Sequence, residues 1–414
     1  QLIVHSSTAN GSNSYFMHPL QSPLLLHAVY RFVREFVLRY VDTDPALYAD
    51  ETVAAAAQAF HAFHGTELNV VLDVVLSCTA QLITYMPLES ELITAAAQTL
   101  IALSASKNNA RLAYVVSHES VGNIAQYVTS TSSSASGSGG GNNNSNNSGC
   151  RLNAVGLVAM YESLGMVFVR AGHEAYFTHL CGSVYALVEG KAEVLNRNLF
   201  QKVICSLCGL AKCVAGQDRT LYGLFDAVWP VLRASIRQYV DADDILKQYL
   251  LLLRLYAEHQ LTRLPSASCL ALYQTSFEVL NIYQRRFSLL EQRSEAADEE
   301  AVLFRNESCL HVLELLNHLS SKDFSFTEDC AESSNATFEA EVAQVLLCGL
   351  QVILPILSTE NLRSFPITAE RFFSFLAFMA SSYVVDIARW LNNLPGNEGS
   401  RLLQEIMHRL HCGA

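Results

Sequence analysis

Between residues 338 and 380 the sequence carries two apolar runs with a polar break between them, and neither run can bury the other alone. The first comprises Phe338, Val342, Val345, Leu346, Gly349, Ile353 and Leu357. Its steps of three and four place it on one face of a helix. Pro355 falls near the end of that run, where a missing N–H costs least. Ser358, Thr359, Glu360 and Asn361 then interrupt it. The second run, Phe372, Phe373, Phe375, Leu376, Phe378 and Met379, is apolar nearly all round and demands cover on more than one side. The stretch reads as helix, turn, antiparallel helix. Such a pair needs a copy of itself on either side.

Copies are found along the chain. Residues 1–22 form a Ser/Asn-rich lead, and 23–128 form helix pairs: 24–41 with 52–63, then 68–85 with 90–104. In the first of these helices Leu25, Val29, Phe32, Val33, Phe36 and Tyr40 share a face. A helix over 110–128 follows, its partner delayed by 129–150. Residues 129–149 contain only Thr, Ser, Ala, Gly and Asn. They have nothing to bury against their ordering entropy, so disorder is expected there. Pairs resume over 151–412: 152–169 with 176–188, 199–214 with 221–239, and 245–261 with 267–290. A helix over 302–319 precedes a polar loop at 320–335, and 383–394 with 402–410 close the chain. With the insertions removed, pairs recur about every 41–47 residues, the range of HEAT and armadillo repeats. The expected fold is all-α: a HEAT/armadillo-like superhelical solenoid of antiparallel helix pairs.

Composition narrows the function. The 414 residues are 50% hydrophobic and 16% charged, with a net charge of −12. An acidic chain is a poor nucleic-acid binder and suits basic protein partners. Most of the eleven cysteines, such as Cys78, Cys181, Cys205, Cys208, Cys309 and Cys348, sit inside apolar helical runs. They are expected to pack as small hydrophobes in a reducing compartment. Asn10, Asn143, Asn146, Asn306 and Asn335 head glycosylation triplets that matter only in a secreted protein. No membrane span is expected, because Asp73 and Gln81 interrupt the longest apolar run. The start at Gln1 and the stop just after Cys412 suggest a fragment of something longer.

No set of residues asks for catalysis, a cofactor or a metal. Cys205-x-x-Cys208 with Cys213 lacks the further ligands zinc needs. His61 with His64, and His408 with His411, share helix faces but have no accompanying carboxylates in a metal-binding pattern. Gly137–Gly141 has no lysine or helix after it. Asp241, Asp243 and Asp244 form the one dense carboxylate cluster. It has two readings: a magnesium site for a diphosphate in an all-α transferase, or an acidic turn at the start of the helix that follows. A transferase needs these carboxylates in an apolar cavity; a scaffold needs them on a solvated edge. With Glu295, Asp298, Glu299 and Glu300 they form two acidic turns, the candidate contacts for a basic partner.

Leu354-Pro355-Ile356-Leu357, then Asn361-Leu362-Arg363, then Phe365-Pro366 and an aromatic helix, resembles the nuclear exportins of the importin-β (karyopherin) superfamily. Weaker likeness runs in the same order through 22–48, 99–103, 271–286 and 313–324. Ser364 and residues 129–149 depart from the pattern as extra residues. The resemblance implies a HEAT-repeat receptor that loads protein cargo together with Ran in its GTP form. It would shuttle between nucleus and cytoplasm through the nuclear pore, by contacts with nucleoporins. It implies neither nucleic-acid nor membrane binding. The N-terminal repeats that grip Ran in such receptors lie outside this sequence.

Overall fold

The computed structural model describes residues 22–41, 55, 66–105, 109–130, 150–190, 194–213, 218–293, 299–320 and 332–413, and among them every regular element is helical. The expected helix over 52–63 and disorder over 1–21 and 131–149 lie outside those residues, apart from Ala55. The chain divides into two units, 1–187 with 205–221, and 188–204 with 222–414.

The first unit contains α1 (Pro23–Phe36), a π-helical turn (Val37–Val41), α2 (Thr66–Tyr85), α3 (Ser90–Ser104), α4 (Asn109–Ser117), α5 (Glu119–Thr129), α6 (Ala154–Arg170) and α7 (Glu174–Val188). Helices α1, α3 and α6 pack in series, and α2 packs on α5; α2 also meets α3, and α5 meets α6. So the delayed partner of the 110–128 segment is α6. That segment is two helices rather than the single one expected. His118 is extended, and its Nδ1 accepts the Ser120 N–H, which caps α5. The side chain thereby competes with the helical backbone bond. The two ends of the 131–149 segment are clasped, because the Arg151 N–H donates to the Tyr127 hydroxyl at 3.1 Å.

The expected apolar face of α1 is corrected by the packing. Tyr30 and Val37 are buried, whereas Leu25, Val29 and Phe32 are exposed. Tyr30 can turn inward because its hydroxyl pairs with Thr79 Oγ1, while its carbonyl accepts from Thr99 Oγ1. An amphipathic ring thus takes the buried position that a purely apolar count assigned elsewhere.

Helices α8 (Arg197–Ala211) and α9 (Asp218–Ile236) each pass from one unit to the other. The second unit continues with α10 (Asp243–Gln260), α11 (Ser266–Arg293), α12 (Glu299–Ser320), α13 (Glu332–Ile356), α14 (Thr359–Ser364), α15 (Pro366–Ser382), α16 (Val384–Asn393) and α17 (Glu398–Gly413). First helices pack on first helices, α10 on α12 and α12 on α15; second helices pack on second helices, α11 on α13. Cross-contacts α10 to α11, α12 to α13 and α15 to α16 close each pair. This changes the pairing expected for 338–380. Its first helix, α13, pairs with the preceding α12, and its second, α15, stacks on α12. Gly349 makes the pairing possible: a Cβ there would lie 2.4 Å from Leu316 Cδ2. The all-round apolar character of α15 is explained by burial of Phe372, Phe375 and Met379.

Side-chain bonds between successive pairs recur at one separation. Ser77 meets Ser120 at 43 residues, Asp226 meets Ser268 at 42, and Arg233 meets Glu278 at 45. Asn153 reaches back 65 residues to Leu88, a step that spans the 129–149 insertion. Equivalent positions of neighbouring pairs therefore face each other. Among the described residues no single helix is long and apolar enough to cross a membrane.

Candidate functional site

Cys205, Cys208 and Cys213 are core residues, as their apolar setting implies. Burial pushes the Cys205 thiol up to about 12 and raises those of Cys208 and Cys213 as well. Cys213 Sγ donates to the Gly209 carbonyl at 3.6 Å. There α8 crosses α6 so closely that a Cβ on Gly209 would lie 2.5 Å from the Val158 carbonyl oxygen. His408 and His411 are exposed on α17, and His61 and His64 lie outside the described residues. Among the described residues no group of three or more His, Cys, Asp or Glu is placed to hold a metal ion.

The Asp241–Asp244 turn is where the sequence places it, between α9 and α10, but each of its three carboxylates already has a guanidinium partner. Arg286 Nη1 donates to Asp241 at 3.0 Å. Its Nε and Nη2 donate to the two oxygens of Asp243 at 2.8 and 3.2 Å, a two-pronged pair. Arg197 Nη2 donates to both oxygens of Asp244, at 2.7 and 2.8 Å. The bond to Asp243 raises the Arg286 pKa, and the bond to Asp244 raises that of Arg197. The helix-start reading also needs correction. Ala242 occupies the cap position without a side-chain bond, while Asp243 and Asp244 fill the first turn, where the helix dipole favours them. Asp241 stays 86% exposed, so the cluster lies on a solvated edge rather than in an apolar cavity. A turn in which two arginines offset two of three carboxylate charges is a weakened lure for a basic partner. Of the other acidic turn, Glu295 and Asp298 lie outside the described residues. Glu299 and Glu300 open α12, and their side chains are likewise not described.

The second unit holds the opposite arrangement in a groove of about 640 Å³. Its walls come from α9 (Arg233) and the turn after it (Arg237), α11 (Tyr273 to Arg285) and α13 (Gln344, Val345). Glu278 is the one carboxylate among the lining residues, against Arg233, Arg237 and Arg285. Its Oε2 accepts from Arg233 Nε at 2.9 Å and its Oε1 from Arg237 Nε at 2.5 Å. Glu278 is only 18% exposed and holds both guanidinium groups. Arg233 is 35% exposed and Arg285 is exposed. Tyr273, Phe277, Ile282 and Val345 give the groove an apolar floor. The Tyr273 hydroxyl is spent on the Leu319 carbonyl at 2.6 Å and its ring is buried, as Ile282 and Val345 are, so Phe277 is the part-exposed apolar ring of the lining.

Sequence reading missed this groove because its charges are dispersed along the chain. Arg233 and Glu278 are 45 residues apart, and Arg237 and Glu278 are 41. Charges compared one repeat apart, rather than one helical turn apart, would have brought them together.

A third charged feature joins α10 to α12. Lys247 pairs with Glu307, and Arg254 Nε lies 3.0 Å from Glu314 Oε2. His311 sits among them, and burial, with Arg254 and Lys247 nearby, lowers its pKa to about 4. It is held neutral inside the fold.

No protein-family model matches this chain.

Proposed function

We propose that the chain is a segment of a HEAT/armadillo-like superhelical solenoid that serves as the protein-binding scaffold of a nuclear export receptor. The observation that supports the solenoid is the recurring bond between equivalent positions of neighbouring pairs, as at Ser77–Ser120 and Asp226–Ser268. An array of this kind buries its core only through its neighbours and works through its long surface. The exportin assignment is supported by the sequence resemblance. The Leu354-Pro355-Ile356-Leu357 segment spans the end of α13, Asn361-Leu362-Arg363 lies in α14, and Pro366 opens the aromatic α15.

On this reading the protein takes up cargo in the nucleus with GTP-bound Ran and passes the pore by contact with nucleoporins. GTP hydrolysis in the cytoplasm then releases the cargo. Ran and cargo must strengthen each other's binding equally. The same helix array also fits an import receptor or a subunit of a large complex, and Ran dependence separates these. The native protein, captured from cells with and without GTP-locked Ran, should retain cargo only when Ran is present. Cargo that Ran displaces would indicate an import receptor. Partners indifferent to Ran would indicate another kind of scaffold.

A further inference from the structure

We propose that the α9–α11–α13 groove binds an extended acidic peptide segment of a partner protein, with carboxylates on the arginines and one apolar side chain on the floor. This rests on the scaffold reading above and gives it a recognition chemistry. Three features of the groove support it.

The first is charge. Within a chain of net charge −12, this groove lines up Arg233, Arg237 and Arg285 against the single carboxylate of Glu278. Local sign decides which partner is steered in, whatever the sign of the whole molecule.

The second is preorganisation. Glu278 uses its two oxygens to hold Arg233 and Arg237, so their planes are set before a ligand arrives. Arg233 spends only its Nε there. Its two terminal nitrogens can take a carboxylate side-on, the geometry for which a guanidinium is built. Fixing such long side chains in advance removes much of the ordering cost of binding.

The third is shape and floor. A volume of about 640 Å³ is enough for a few residues of an extended chain, and it runs over three successive second helices. Phe277, part-exposed beside the buried Tyr273, Ile282 and Val345, offers one apolar seat. Gln274 and Gln344 are exposed amides suited to a peptide backbone, while Asn281 already bonds the Phe277 carbonyl and Cys348. A basic segment would meet three like charges here.

The test is fluorescence anisotropy with the whole 414-residue chain. The probe is a labelled twelve-residue peptide of Asp and Glu with one central Phe, compared with its Asn/Gln counterpart. The acidic peptide should bind saturably, and the amide peptide at least about tenfold more weakly. Arg285→Glu should weaken the acidic peptide about tenfold, since Arg285 is exposed and holds no described partner in place. Arg401→Glu on α17 makes the same change in total charge outside the groove and should leave binding within about twofold. Equal loss in both variants, equal binding of both peptides, or full binding by Arg285→Glu would each overturn the proposal. Circular dichroism confirms that each variant is folded. No Ran is present in this measurement, so its outcome is independent of the export assignment.

Discussion

The two units hold their helices together by different means. In the first unit, bonds between pairs are mostly neutral or reach backbone, with Lys212–Glu162, from the turn after α8 to α6, a charged exception. Asn153 Nδ2 donates to the Leu88 carbonyl, Arg170 to the Ile101 carbonyl, and α8 sits on α6 at Gly209 with no room for a side chain. In the second, charge pairs span the pairs: Arg197 with Asp244, Arg233 with Glu278, Arg254 with Glu314 and Arg286 with Asp243. One helix-pair pattern thus tolerates two kinds of glue. Close packing is indifferent to pH and salt, whereas ion pairs respond to both.

The widest separation between the units is expected from Gly209→Ala. The new methyl would meet the Val158 carbonyl at 2.5 Å and Tyr161 Cβ at 2.7 Å, so backbone must move. A loss of about 3 kcal/mol or more is expected, confined to the first unit. Hydrogen exchange resolved by segment would show faster opening of α6, with α10 to α13 unchanged. Equal opening in both units would mean that they unfold as one.

Acid should act the other way round. His311 has an ordinary pKa when unfolded and one of about 4 in the fold, so the unfolded chain binds its proton first. Stability is therefore lost as pH falls from about 6.5 towards 4, by about 2 kcal/mol between pH 7 and pH 5. His318, also lowered by burial, adds in the same direction. Exchange at α10 and α12 should accelerate at pH 5, and His311→Leu should flatten that response. A flat profile in the parent chain would remove His311 from the account.

Arg286→Ala should cost less, about 1–2 kcal/mol, because it strands Asp241 and Asp243 at a half-exposed turn. Urea unfolding followed at the second unit would measure it, and an unchanged midpoint would make the arginine-paired turn ornamental. The smallest effect should come from Arg197, which is 56% exposed: raising salt should nearly erase any difference between Arg197→Gln and the parent. A difference that survives high salt would show that Asp244 is held by more than charge.

What could be read in the sequence was whatever repeats within one helix. The apolar spacing around Ile353 and Phe375 gave the helices, and the setting of Cys205 gave its burial. What joins one pair to the next was hidden. The carboxylates of Asp241 and Asp243 looked available because Arg286 lies 45 and 43 residues away, and the arginines of the groove looked scattered for the same reason. Phase was hidden too. Nothing local in 338–380 says that α13 belongs with the helix before it, since that depends on Gly349 admitting Leu316. His118 broke an apolar run through a side-chain bond that hydropathy does not register.

The clasp between Tyr127 and Arg151 has a consequence for how this gene can change. The chain leaves and returns beside a single phenol, so whatever is spliced between residues 130 and 150 needs only neighbouring ends to fit. Lengthening, shortening or replacing that stretch should leave the register of α5 against α6 unchanged. For the protein engineer it is a ready port: a reporter domain whose own termini lie close together can be housed there while the helix array on either side keeps its frame.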